Sequence, residues 1–190
     1  CVALNTSNPG LLAPFGINAE VLRIPIERRI RPLSELRAAL ALYRIFRAKH
    51  FDLIHSVSPK AGLLAMLAGF LAGVPRRLHF FTGQVWVTSK GLARNFLKNT
   101  DRLIGALATH VLIDSPSQRD FLLAQRVIRP DKCKVLGHGS ISGVDTARFK
   151  PNVDAKSSVR AGLGIPSRDT VFLYLGRLNR DKGLLDLTEA

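Results

Sequence analysis

The amino-acid sequence predicts an α/β protein with a doubly wound parallel sheet, and three observations carry that reading. Short apolar runs rich in β-branched and aromatic residues alternate with helix-period stretches at least four times between residues 53 and 137. Helix-start signals stand directly after strand-like runs, as in Ser58-Pro59 and Ser115-Pro116-Ser117-Gln118. Strands joined through single helices in this way lie parallel, with right-handed crossovers.

Residues 1–4 form a short apolar run that ends in the turn cluster Asn5-Thr6-Ser7-Asn8-Pro9-Gly10. Residues 11–15 suit a helical turn, 19–26 alternate imperfectly as a strand, and 27–32 read as a basic loop. Ser34 is placed to cap the next helix, with Glu35 facing the helix dipole. Leu36, Ala39, Leu40, Tyr43 and Phe46 then recur at helical spacing, opposite Arg37, Arg44, Arg47 and Lys49. This is a surface helix packed on a sheet. Residues 53–57 read as a strand, after which Ser58 caps a helix opened by Pro59.

The run 61–74 carries no charge. It is shorter than the roughly 20 apolar residues that span a bilayer. Ala65, Gly69 and Gly73 give it a small-residue ridge, so it reads as a helix buried against the sheet, with shallow membrane insertion as the lesser alternative. Residues 77–81 are the next strand, followed by the loop Thr82-Gly83-Gln84-Val85-Trp86. Leu92, Phe96, Leu103, Ile104 and Leu107 mark a long helix, basic on its polar face. Residues 110–114 are a strand, the capping-box spacing at Ser115 starts a helix, and 132–137 are a further strand.

Periodicity then stops. Gly137, Gly139, Gly143 and Pro151 mark a linker. A short helix follows near 157–163, then a strand at 171–175 and a helix at 183–190. The expected organisation is a Rossmann-like unit over residues 1–138, a linker with a short helix over 139–170, and the first strand and helix of a second such unit over 171–190. Position 1 is Cys rather than Met, so the chain reads as a piece of a longer protein that lacks its first βα unit.

Composition narrows the function. Apolar residues make up 46% of the chain, which excludes a disordered protein. Lys and Arg number 28 against 14 Asp and Glu, a net charge of +14. A surface this basic meets an anionic ligand or membrane, or is simply a solvated, self-repelling face. The cations are dispersed as Arg28-Arg29, Arg76-Arg77, Arg94, Lys98 and Arg102, with no aromatic platform between them and no zinc-finger or RNA-recognition signature, so no nucleic-acid partner is expected. Cys1 and Cys133 do not make a disulfide framework, which favours a reducing cytoplasm.

Loops that follow successive parallel strands emerge on one edge. Ser58, Lys60, Thr82, Gly83, Gln84, Ser115, Gly139 and Ser140 are therefore expected to share a crevice, with Thr82 and Gln84 as the candidate catalytic groups. In the second unit, Gly176 turns the chain at the end of a strand, and Arg177 and Lys182 set two cations beside a helix start. That arrangement suits a diphosphate, since helix N-termini favour anions and Arg forks onto phosphate. The plainer alternative is a βα turn with two solvated basic residues. There is no Asp-x-Asp pair, no metal-spaced cluster, no Walker loop and no Gly-x-Ser-x-Gly elbow, so neither metal nor cofactor is expected.

Gly176-Arg177-Leu178-x-x-Asp181-Lys182-Gly183 resembles the Gly-Arg…Lys-Gly turn of retaining GT-B glycosyltransferases of family 4. The segments His55-Ser56-x-Ser58-Pro59-Lys60-Ala61-Gly62, Phe81-Thr82-Gly83-Gln84-x-Trp86 and Gly139-Ser140-Ile141-x-Gly143-Val144-Asp145-x-x-x-Phe149 are similar to the branch that builds bacterial surface polysaccharides and lipopolysaccharide. The resemblance implies that Gly176, Arg177 and Lys182 hold the donor diphosphate of a nucleotide sugar, UDP-linked. It further implies an acceptor that is a glycan or a lipid diphosphate-linked sugar, retention without a metal, and peripheral attachment to the anionic inner face of the cytoplasmic membrane. Many relatives place a His directly after the strand where this chain has Thr82-Gly83-Gln84, while His79 and His55 read as core or edge histidines. The alternatives are a GT-B enzyme of another reaction type, an epimerase or phosphorylase, and a non-catalytic basic module for anionic lipid.

Overall fold

Four parallel strands lie side by side in chain order: β3 (Leu53–Ser56), β4 (Arg76–Phe81), β5 (His110–Ile113) and β6 (Cys133–Val135). The register sets Ser56 opposite His79, Phe81 opposite Ile113, and Ile113 opposite Val135, so the strands end close to one another along one edge. Each connection is a helix: α2 (Pro59–Leu71), α3 (Gly91–Leu107) and α4 (Pro116–Ala124). A separate parallel pair, β1 (Val2–Leu4) with β2 (Val21–Arg23), precedes α1 (Pro32–Lys49), which leads into β3. The computed structural model describes residues 1–4, 6, 8, 10, 12–26, 31–141, 143–176, 178 and 183–189. The basic pair Arg28-Arg29 lies outside them.

The chain divides into two compact units, Cys1–Gly143 and Val144–Ala190. In the first, alternate residues of β3 and β5 point inward, so Ile54, Val111 and Ile113 join Leu42, Met66, Ile104 and Leu122 in one core. α2 sits unusually close to the sheet. A methyl group on Gly62 would strike the His79 ring, and one on Gly69 would overlap Ile54. The small-residue contact is thus Gly62 and Gly69, whereas Gly73 lies beyond the helix in a turn with φ +76°.

Two helices bury only part of the stripe that the spacing suggests: Phe46 and Ile104 are in the core and Ala39, Tyr43 and Leu107 pack against it, but the rest of each stripe faces out. α1 buries Ala38, Leu42 and Phe46, leaving Leu36 and Leu40 exposed. α3 buries Asp101, Ile104 and Gly105, while Leu92, Phe96 and Leu103 face solvent. Apolar residues on both helices extend beyond one stripe, and spacing alone does not fix where the buried face is centred. The residue that decides for α3 is Trp86, buried in the turn before it. Its Nε1–H donates to the Asp101 carboxylate at 2.8 Å, and its ring stacks on Phe121.

The caps also differ. Arg31, not Ser34, is the N-cap of α1, and Ser34 Oγ instead donates to the Pro25 carbonyl. Ser58 does occupy the N-cap of α2, but its side chain makes no capping hydrogen bond. Ser115 behaves as expected, accepting from the Gln118 N–H at 3.1 Å.

In the second unit, Asn152 caps α5 (Val153–Gly162), accepting from the Ala155 N–H, and Arg160 gathers the carbonyls of Pro166 and Asp169. α6 (Leu184–Glu189) follows. Residues 171–175 do not form the expected strand, and Phe172 and Leu173 are each 85% exposed. A strand exists only as one member of a pair, and the described residues of this unit supply no partner.

Two buried titratable groups give the first unit a measurable pH dependence. Burial pushes the Asp101 carboxyl up to about 6, against the Trp86 hydrogen bond that pulls it down. Burial, with a smaller contribution from His55, pushes the His79 imidazole down to about 4. Asp101 therefore adds stability as pH falls from about 6 towards 4, because the folded chain takes up its proton first. His79 removes stability over the range from about 6.5 down to 4, because the unfolded chain protonates first. Asp101→Asn keeps an acceptor for Trp86 and abolishes the first effect. It should stabilise the chain by about 1–2 kcal/mol at pH 7, a gain that disappears as pH falls to 4. Urea unfolding across that range tests this, and a gain independent of pH would refute the assignment.

Candidate functional site

The site is assembled where the strands end. β4 runs into Thr82, Gly83 and Gln84, β5 into Asp114 and Ser115, and β6 into Leu136 to Ser140. The parallel register places these three exits next to one another. In open α/β sheets this edge is where ligands bind.

One side chain ties the exits together. Gln118, in the first turn of α4, donates from Nε2 to the Gln84 Oε1 at 3.2 Å and accepts on Oε1 from the Asp114 N–H at 3.0 Å. Its own N–H is held by Ser115 Oγ. The last exit joins through the backbone, as the Ser140 N–H donates to the Asp114 carbonyl at 2.6 Å. Gly139 makes that approach feasible. It adopts φ +101°, and a Cβ there would overlap the Asp114 carbonyl oxygen. Ser140 itself sits at φ 70°.

Two polar atoms in this cluster, Gln84 Nε2 and Asp114 Oδ1, are buried with no hydrogen-bond partner. A third such atom, His79 Nε2, lies in the core, its ring bonded through Nδ1 to Ser56 Oγ at 2.8 Å. His79 is thus a core residue, as its place in the strand suggests, and His55 is exposed on β3.

Of the residues expected in the crevice, Gln84, Ser115, Gly139 and Ser140 come together with Asp114. Thr82 and Gly83 are exposed beside them in the loop after β4. Lys60 is engaged elsewhere, its ammonium 2.8 Å from Glu35. The hydrogen bond from Lys60 holds the Glu35 carboxyl below the usual range, against a smaller opposing effect of burial. Gly176 forms an exposed bend in the second unit, while Arg177 and Lys182 lie outside the described residues. Asp114 and Gln118 were not singled out by the sequence. The only signal was the position of Gln118 in the capping box, which points to a helix start rather than to a site. Among the described residues no group of three His, Cys, Asp or Glu could hold a metal ion.

A parallel α/β unit whose strand exits converge on buried, unsatisfied polar groups belongs to the ligand-binding Rossmann-like class. The chain belongs to the glycosyl transferase 4-like family, since residues 5–139 match the family described as "Glycosyl transferase 4-like domain". It is 26% identical over 167 residues to the capsular polysaccharide biosynthesis glycosyltransferase CapM of Staphylococcus aureus, covering 88% of this chain and 43% of that protein. It is 26% identical over 164 residues to the UDP-Gal:α-D-GlcNAc-diphosphoundecaprenol α-1,3-galactosyltransferase of Escherichia coli, covering 86% of this chain and 41% of that protein. Crystal structures of Anabaena HepE, one with UDP and one with UDP and glucose, align at TM-scores of 0.55 and 0.56. Each is 20% identical to this chain and covers 85% of it and 41% of HepE, a likeness that shows the fold. The chain thus spans less than half the length of the curated relatives it matches.

The contact of Gly139 with Asp114 is directly testable. Gly139→Ala should cost about 1–3 kcal/mol, from strain at positive φ and displacement of a backbone oxygen. It should also speed amide exchange at Ser140. Gly143→Ala, with open space around its Cβ, should leave both unchanged. Equal melting temperatures for the two variants would rule out the packing described.

Proposed function

We propose that the whole protein is a glycosyltransferase that moves a sugar from a nucleotide-sugar donor, UDP-linked, to a lipid-linked or polysaccharide acceptor in bacterial surface glycan synthesis. The observation that carries this reading is the meeting of Gln84, Asp114, Gly139 and Ser140 at the sheet's carboxyl edge, within or beside the stretch that belongs to the glycosyl transferase 4-like family. The names of both relatives support it, one for capsular polysaccharide and one for a diphosphoundecaprenol-linked acceptor.

In this reading the first unit faces the acceptor, with Thr82 and Gln84 nearest the reaction, and the residues after 170 take the donor. Arg177 and Lys182 neutralise the charge that grows on the departing nucleoside diphosphate, the step at which fixed cations contribute most. The anomeric configuration is retained, and the reaction draws on no metal. In the full-length protein, Arg177→Ala and Lys182→Ala should each lower sugar transfer by about 10²–10³-fold with the fold intact by circular dichroism. Unchanged turnover would refute the clamp.

The acceptor's lipid suggests attachment to the inner face of the cytoplasmic membrane. No helix among the described residues is long and apolar enough to cross a bilayer. α3 supports a surface contact instead: Leu92, Phe96 and Leu103 are exposed on it, as are Val85 and Val87 in the turn before it. Lys90 and Arg102 are exposed along the same segment, whereas Arg94 and Lys98 lie over the Trp86 ring. Each such cation near an anionic leaflet adds about 1 kcal/mol. The chain should sediment with phosphatidylglycerol vesicles and not with phosphatidylcholine ones, and Leu92→Ser with Phe96→Ser should weaken the binding severalfold. Equal partition into both vesicles would contradict it.

A further inference from the structure

The unpartnered Gln84 Nε2 and Asp114 Oδ1 are both buried, and both residues are bonded to the Gln118 side chain. An unmade buried hydrogen bond is costly, so such atoms in a native fold call for a partner. The chemistry of that partner is constrained. An amide nitrogen only donates and an ionised carboxylate only accepts. A phosphate would satisfy Gln84 but be repelled by Asp114, and a cation would do the reverse. A hydroxyl, which donates and accepts at once, satisfies both.

The backbone that carries the carboxylate is also held in place. The Asp114 N–H is given to Gln118 Oε1, and its carbonyl takes the Ser140 N–H. The Gln118 backbone is itself held by the Ser115 cap, so the Gln84 amide and the Asp114 backbone are both tied to one capped turn. Among the described residues of this unit the other buried orphan, His79 Nε2, has no such setting and lies under α2.

We propose that Gln84 and Asp114, braced by Gln118, form a subsite for one hydroxyl of a sugar substrate, Gln84 donating to the hydroxyl oxygen and Asp114 accepting its proton. The proposal rests on the transferase reading and supplies it with a specificity-determining pair that recognises where a hydroxyl stands on the sugar.

The test uses the full-length protein with donor and acceptor varied separately. Gln84→Glu keeps an oxygen for Gln118 and replaces only the donor, while Asp114→Ala removes the acceptor. Each variant should raise the KM for one sugar substrate about tenfold, with the other KM little changed. A rise confined to the acceptor assigns the hydroxyl to the acceptor, and one confined to the donor assigns it to the donor sugar. No rise in either overturns the subsite and leaves buried water as the partner. A second measurement does not depend on turnover. In the 190-residue chain, the side-chain amide resonance of Gln84 should shift on titration with N-acetylglucosamine or glucose and not with glycerol, and the shift should vanish in Asp114→Ala. Absence of transfer from every nucleotide sugar with this shift present would sink the transferase reading alone. Transfer with neither a KM change nor a shift would sink the subsite alone.

Discussion

The parallel register of β4, β5 and β6 is the constraint on which the first unit depends. With Phe81, Ile113 and Val135 aligned across three strands, the chain must leave the sheet at three neighbouring points on one edge. Convergence comes from hydrogen bonding along the strands, and the helices α3 and α4 return the chain to the far edge each time. The polar cluster around Gln118 is the consequence of that geometry.

The same residues serve folding and the site. Ser115 starts α4 by capping it, and the capped turn fixes Gln118, whose side chain then reaches back to Asp114 and across to Gln84. In an ordinary capping box the third-position side chain would return to the N-cap N–H. Here it bonds one residue earlier, to the Asp114 N–H, and its remaining amide end is spent on a neighbouring loop. Gly139 plays a parallel part from β6, since only a residue without a Cβ lets the backbone of Ser140 reach the Asp114 carbonyl.

Buried polar groups also lie deeper in the unit. Asp101 accepts from Trp86, and His79 pairs with Ser56, so each polar group is at least partly satisfied inside the protein. Trp86 is further packed between Phe121 and the cations Arg94 and Lys98. These contacts set the orientation of α3 and with it which apolar residues turn to solvent. The exposed Leu92, Phe96 and Leu103 are therefore a result of anchoring Asp101 and Ile104, and they provide the surface on which the membrane reading rests.

Local order was legible in the sequence because it depends on neighbours in the chain. Strand positions at 53–56, 110–113 and 133–135, the Ser115 cap and the alternation that makes the sheet parallel all follow from short-range pattern. So did the family, whose match spans residues 5–139. Tertiary structure decided what pattern leaves open: where the buried faces of α1 and α3 are centred, that Asp101 goes inside, and that Lys60 is held by Glu35. It also decided that residues 171–175 are not a strand here, and that Gln84, Gln118 and Asp114 meet. The physical reason is common to all of these. Each depends on a partner distant in sequence, and a hydrogen bond or packed face between distant residues exists only once the sheet has brought them together.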